Sequence, residues 1–253
     1  MKEEILNKLN EIEQKHQVEI LYACESGSRA WGFESPDSDY DVRFIYSHPQ
    51  DWYLQVDYEK KRDVIEVPIN KVLDISGWDL KKSLQLLMKS NPVLLEWLNS
   101  PIVYKKREGF QEEYQVLTGG FSKKTCFYHY LHMAKRNNRE YLRGEQVRLK
   151  KYFYVLRPIL AMHWLERDLG QVPMEFDTLV NEILPNGELR DDIEQLVAKK
   201  KVSLESKFGP AIPSINKYIN EQIPILQEKV ESLSKSSLDM PAMNAFFKKY
   251  MKA

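Results

Sequence analysis

Apolar positions at the start of the chain recur at helical spacing: Ile5, Leu9 and Ile12 mark one face of an amphipathic helix in "MKEEILNKLNEIEQKH". "VEILYAC", Val18 to Cys24, is a short apolar run of the length and composition of a buried strand. "YDVRFIYS" and "DVIEVPI", the latter Asp63 to Ile69, read as two more strands, so three are expected within the first seventy residues. From Trp78 the period changes. Leu80, Leu84 and Leu87 predict a helix, Asn91-Pro92 a cap with proline at the first helical position, and "IVYK" after Pro101 a short strand.

"TGGFS", Thr118 to Ser122, interrupts this pattern with paired glycines, and nearly everything downstream has helical periodicity. Tyr152, Val155, Leu156, Ile159 and Leu160 form one stripe; further helices are expected over 176–183, 189–197 and 212–230, with Pro158, Pro213 and Pro224 marking interruptions. A serine-rich loop, "SLSKSSLD", precedes a last helix bearing Phe246, Phe247 and Tyr250. The expected division is residues 1–118 as one domain and 119–253 as a helical one.

Composition narrows the classes of partner. The 253 residues carry 37 basic and 37 acidic side chains, so contact with nucleic acid requires a local patch rather than a global field. Cys24 and Cys126 have apolar neighbours and no metal-ligand spacing, which predicts buried, reduced thiols and a cytoplasmic setting. No apolar run approaches the length of a bilayer span, so no membrane partner is expected. Oligomeric state is not legible.

The stretch "GSRAWGFESPDSDYDVR", Gly27 to Arg43, carries the candidate chemistry. Gly27-Ser28 directly follows a strand, and a tight turn there into a short helix can present backbone amides and the Ser28 hydroxyl to a phosphate, with Gly32 ending the helix. Asp39 and Asp41 alternate on the next strand and so project the same way, with α-carbons about 7 Å apart. Two such carboxylates can converge on a pair of cations about 4 Å apart that clamp a phosphoryl group. Magnesium is the expected ion, since it bridges carboxylate and phosphate oxygens. Glu66, a charged residue among apolar ones in the third strand, is the candidate third ligand; Asp63, at that strand's start and pointing the other way, ranks behind it.

The Gly-Ser turn, spacer and acid-x-acid strand resemble the signature of the polymerase-beta-like nucleotidyltransferase superfamily. "GSRAWGFESPDSDYDVRFIY", "DVIEVPI", "SGWDLKKSLQLLMKSNPVLLEWLNSPIVY" and "KKYFYVLRPILA" are similar, more closely, to a bacterial family of nucleotidyltransferases associated with RNA repair. The resemblance implies an α+β fold, a small mixed sheet flanked by helices and followed by a helical domain. It implies transfer of a nucleoside monophosphate from a nucleoside triphosphate to a hydroxyl acceptor, with an RNA 3′ end as the favoured acceptor. By motif, Gly27 and Ser28 would grip the triphosphate and Asp39 and Asp41 would hold magnesium, with Glu66 the third carboxylate. Tyr40 stands where a small aliphatic residue is common and is expected to pack beneath the sheet.

Other charged groups admit two readings each. Lys150, Tyr154 and Arg157 share one helical face, either a cationic contact for the triphosphate or an ordinary solvated surface; Arg157 is the stronger candidate because its fork suits phosphate oxygens. Arg29 and Arg43 could touch phosphates, but a single arginine near a turn is more often a surface charge. Arg136, Arg139 and Arg143 are compatible with a nucleic-acid acceptor or with solvent. His129 and His132 lack the companions of a zinc site. Two alternatives stand beside the transferase: a nucleotide-binding regulatory module without turnover, and a transferase acting on a small molecule.

Overall fold

The computed structural model describes residues 1–70, 72–202, 208–233 and 237–252. Helix α1 (Lys2–His16) leads into β1 (Glu19–Glu25), and a single helical turn, α2 (Gly27–Ala30), precedes β2 (Tyr40–Ser47). After α3 (Gln50–Tyr53) come β3 (Val64–Asn70) and β4 (Leu73–Asp79), then α4 (Leu80–Met88), α5 (Pro92–Leu98), β5 (Val103–Lys106) and α6 (Phe110–Thr118). The remainder comprises α7 (Lys123–Tyr141), β6 (Gln146–Arg148), α8 (Phe153–Glu166), α9 (Phe176–Ile183), α10 (Glu188–Val202), β7 (Phe208–Pro210), α11 (Pro213–Lys229) and α12 (Met240–Tyr250).

The chain forms two compact units. The first holds residues 1–27, 39–121 and the segment of α12; the second holds 28–38 and the chain from Ser122 through α11. The break after Phe121 lies close to the paired glycines, but two exchanges depart from a simple division at residue 118. Residues 28–38 pack with the second unit, and the last helix returns to the first. Part of the serine-rich loop, residues 234–236, lies outside the described residues.

In the first unit, five strands form one mixed sheet in the order β3-β4-β2-β1-β5, with β2 and β4 parallel and the other neighbours antiparallel. Helix α1 buries Ile5, Leu9 and Ile12 on one face, against Val42, Phe44 and Tyr46 of β2 and Ile75 of β4. Tyr40 packs on that same side, as expected. The opposite face, including Tyr22 and Ile45, is covered by Leu84, Trp97, Phe110 and Phe246 from α4, α5, α6 and α12. Alternation along β2 therefore puts Val42 and Phe44 under α1 and directs Asp41, Arg43 and Ile45 to the other side.

Strand β4 departs from the sequence reading, which begins a helix at Trp78 and has no strand between Ile69 and that point. Leu73, Ile75, Gly77 and Asp79 are buried in strict alternation with half-buried Asp74, Ser76 and Trp78. Gly77 leaves room for the Phe44 ring, since a Cβ there would come within 2.3 Å of it.

In the second unit, α8 is buried on most of its circumference and packs against α7 and α9. Phe33 of the 28–38 segment stacks on Phe153 (ring centroids 4.3 Å apart) and meets Phe176 edge-on. The Phe176 amide donates to the Trp31 carbonyl at 3.0 Å. These aromatic contacts explain why a loop between two strands of the first unit belongs to the second. Among the described residues, no helix is long and apolar enough to cross a membrane.

Candidate active site

Asp41 opens β2 and is fastened to the end of β1 from both sides of its peptide. The Ser26 amide donates to the Asp41 carbonyl at 2.8 Å, and the Asp41 amide donates to Glu25 Oε1 at 2.7 Å. Glu25 is fully buried, and its other oxygen accepts from the Tyr104 hydroxyl. A buried carboxylate needs such donors, because leaving it without them would cost several kcal/mol, on the order of the desolvation penalty. The Ser100 hydroxyl donates to the Glu25 carbonyl at 2.6 Å and ties the same residue to the α5–β5 connection.

This clamp brings the turn against the acid. Gly27 has φ +60°, and a Cβ on it would lie 2.0 Å from Asp41 Oδ2. Glycine is thus required twice over, by the left-handed backbone and by the carboxylate at van der Waals distance. Ser28 follows within α2; its hydroxyl donates to Ser38 Oγ at 3.1 Å, and its carbonyl accepts from the Phe33 amide. Arg29 donates to the Ser38 carbonyl at 2.8 Å. Gly32 has φ +86° and closes the turn after the helix, as its sequence position implies.

Across the parallel pair, Asp41 lies in register with Asp74 of β4. Arg43 Nη2 joins the two carboxylates, at 3.1 Å from Asp41 Oδ1 and 2.7 Å from Asp74 Oδ2. Asp39, exposed, sits just ahead of β2. The acid-x-acid pair and Asp74 are therefore the carboxylates at the starts of two neighbouring parallel strands.

Glu66 is not brought to this group. β4 lies between β3 and β2, so two strand spacings, about 10 Å, separate Glu66 from Asp41. Its register partner is Ser76, and its largely exposed carboxylate pairs with Arg62. Asp63 binds Lys82 at 3.0 Å, and its carbonyl accepts from the Asp79 amide, at the end of β4 remote from Asp74. Asp74 was missed because "LDISGWD" did not register as a strand; its signal was the alternation of Leu73 and Ile75 around the acid.

In the second unit, Arg157 is 2 % exposed rather than on a cationic surface. Its Nη2 donates to the Pro173 carbonyl at 3.2 Å, and the guanidinium lies over the Trp31 ring, 5.2 Å from its centroid. Its fork serves the interior of that unit, so the sequence reading of it as a phosphate contact does not match its surroundings. Lys150 is half-buried beside Lys151, whose ammonium lies over Tyr141 and Tyr154; burial, then Lys150 and Arg148, hold the Lys151 pKa below its ordinary value. Cys24 and Cys126 are both buried free thiols, and burial pushes the Cys24 pKa up.

The donor set fits a hard divalent cation in kind, since Asp41 and Asp74 present carboxylate oxygens on one face and share a single guanidinium. Among the described residues, no group of three or more His, Cys, Asp or Glu side chains stands so that it could hold a metal ion by itself, so the remaining ligands of a cation here would come from substrate phosphate and water.

A family model, RlaP, the RNA repair pathway DNA polymerase beta family, matches residues 1–249. The uncharacterized protein YcgL of Bacillus subtilis (strain 168) is 47% identical over 241 residues, spanning 95% of this chain and 92% of that one. A crystal structure of a nucleotidyltransferase-like protein from Exiguobacterium sibiricum 255-15 aligns over 95% of this chain and 77% of its own, at 11% identity and a TM-score of 0.30. On the near-complete family match and the close relative, the chain belongs to the RNA repair pathway DNA polymerase beta family.

Proposed function

We propose that the protein is a magnesium-dependent nucleotidyltransferase that moves a nucleoside monophosphate from a nucleoside triphosphate to a hydroxyl acceptor, with an RNA 3′ end as the acceptor. The observation that carries this reading is the packing of the Gly27 turn against the Asp41 carboxylate, with Asp74 in register beside it. A phosphate tail approaching Gly27 meets backbone that carries no side chain there, beside carboxylates suited to a cation. The RNA acceptor rests on the family description, and a cytoplasmic setting fits the buried free thiols.

In this reading Gly27 and Ser28 contact the phosphate tail, and Asp39, Asp41 and Asp74 hold the ions, Asp74 taking the part first assigned to Glu66. Magnesium, when bound, would neutralise the charge developing on the transferred phosphoryl group and on departing pyrophosphate. Asp39, exposed just ahead of β2, is the carboxylate that in this reading assists deprotonation of the acceptor hydroxyl. Glu25, itself held by the Tyr104 hydroxyl, anchors the Asp41 backbone at the end of β1 and so fixes where its side chain starts from.

The test is incubation of the full chain with each labelled ribonucleoside triphosphate, magnesium, and either total cellular RNA or a metabolite extract. Label in RNA with release of pyrophosphate supports the proposal. Label in a small molecule overturns the acceptor, and binding without pyrophosphate release overturns turnover itself. Asp41→Asn should lower transfer at least about a hundredfold while changing stability by no more than about 1 kcal/mol, because the ion pair it loses is partly exposed. Full activity in that variant refutes the assignment.

A further inference from the structure

Arg43 is more tightly held than a surface arginine. Besides the two carboxylates, its Nη1 donates to the carbonyls of Val42 at 3.1 Å and Asp74 at 2.9 Å. Four hydrogen bonds from two nitrogens fix the plane of the guanidinium, whose side chain is 17% exposed. Asp41 and Asp74 sit on neighbouring strands about 4.8 Å apart, close enough to repel strongly when both are ionised. One positive charge between them offsets half of the pair's negative charge. A bare divalent cation therefore meets a carboxylate pair already half neutralised, and one with an oxygen of each acid directed at a guanidinium.

We propose that Arg43 is a positioning residue that serves as a built-in counter-ion: it pairs with Asp41 and Asp74 in the free protein and weakens their hold on a bare divalent cation, so that the cation enters with the nucleotide. The triphosphate's own oxygens supply the ligands and negative charge that Arg43 withholds. Register between β2 and β4 keeps the two acids adjacent even without the arginine, so removal of the guanidinium exposes the full charge of the pair. This inference rests on the reading of Asp41 and Asp74 as metal ligands.

The experiment is calorimetric titration of the full chain with manganese in the absence of nucleotide, for wild type, Arg43→Gln, Arg43→Lys and Arg43→Gln combined with Asp74→Asn. Arg43→Gln should bind manganese at least about tenfold more tightly than wild type, and adding Asp74→Asn should abolish that gain. Arg43→Lys keeps the charge without the fork that spans both acids and should fall between the two. An unchanged or weakened affinity in Arg43→Gln overturns the proposal; if that variant does not fold, Arg43→Lys binding no tighter than wild type does so. Equilibrium dialysis of unreactive analogues of the four ribonucleoside triphosphates, with and without manganese, separates the two levels. Manganese-dependent retention by wild type with no gain in Arg43→Gln removes only the role of Arg43. No manganese binding by any variant and no manganese-dependent retention removes the metal reading, and this inference with it.

Discussion

At the scale of single residues, the space available at Gly27 is the sharpest constraint. Gly27 and Gly32 both have positive φ, but a Cβ at Gly32 meets nothing within 4 Å, whereas one at Gly27 falls 2.0 Å from Asp41 Oδ2. Replacing either with alanine imposes the backbone cost of about 1–2 kcal/mol; Gly27→Ala must also push the Asp41 carboxylate aside. Denaturant unfolding should therefore show both variants destabilised, and transfer assays should show activity lost only in Gly27→Ala. Equal activity in the two variants would mean that the contact with Asp41 is irrelevant to turnover. The glycine, serine and paired acids of this stretch are recognisable from sequence because such residue types at such spacing rarely serve a plain strand and turn. The partners that fix them, Glu25 and Arg43, are not, because a lone charge in a strand reads the same whether it faces solvent or a carboxylate across the sheet.

At the scale of elements, β4 and the helix it feeds show how burial changes chemistry. Asp79 ends β4, caps α4 by accepting the Lys81 amide at 2.8 Å, and accepts the Tyr53 hydroxyl at 2.8 Å. Burial raises its pKa to about 6, against the opposing effect of these hydrogen bonds. The folded state thus holds the Asp79 proton more tightly than the unfolded chain does. Its contribution favours folding at pH 4 and below and is lost as the pH rises through about 6. A shift of this size corresponds to about 3 kcal/mol. Asp79→Asn, whose amide oxygen can still cap α4, should flatten the dependence of unfolding free energy on pH between about 4 and 6. An unaltered slope would show that Asp79 is not the titrating group. β4 itself was obscured in the sequence by the serine, glycine and aspartate in "LDISGWD", residues that favour turns when no neighbouring strand is present to pair with.

At the scale of the whole molecule, the chain weaves its two units together rather than completing one before starting the next. Lys200 of α10, 7 % exposed, reaches the 28–38 segment and donates to Ser35 Oγ at 2.8 Å and Ser38 Oγ at 3.2 Å. Lys200→Met should cost about 1–3 kcal/mol by taking a charged donor from two buried hydroxyls, and hydrogen exchange should quicken over 28–38. Unchanged protection of that segment would show that the aromatic contacts of Phe33 hold it alone. Sequence by itself determined the first helix, the first three strands, the helical character of the second half, the break near the paired glycines, and the turn with its acid pair. Each is a local matter of period, length and residue type. Tertiary structure decided that the last helix returns to the sheet, that 28–38 joins the other unit, and that Asp74 rather than Glu66 stands beside Asp41. Those outcomes depend on which strands become neighbours and which buried faces find each other, and pairing between distant segments is set by packing energy that no local window of residues contains.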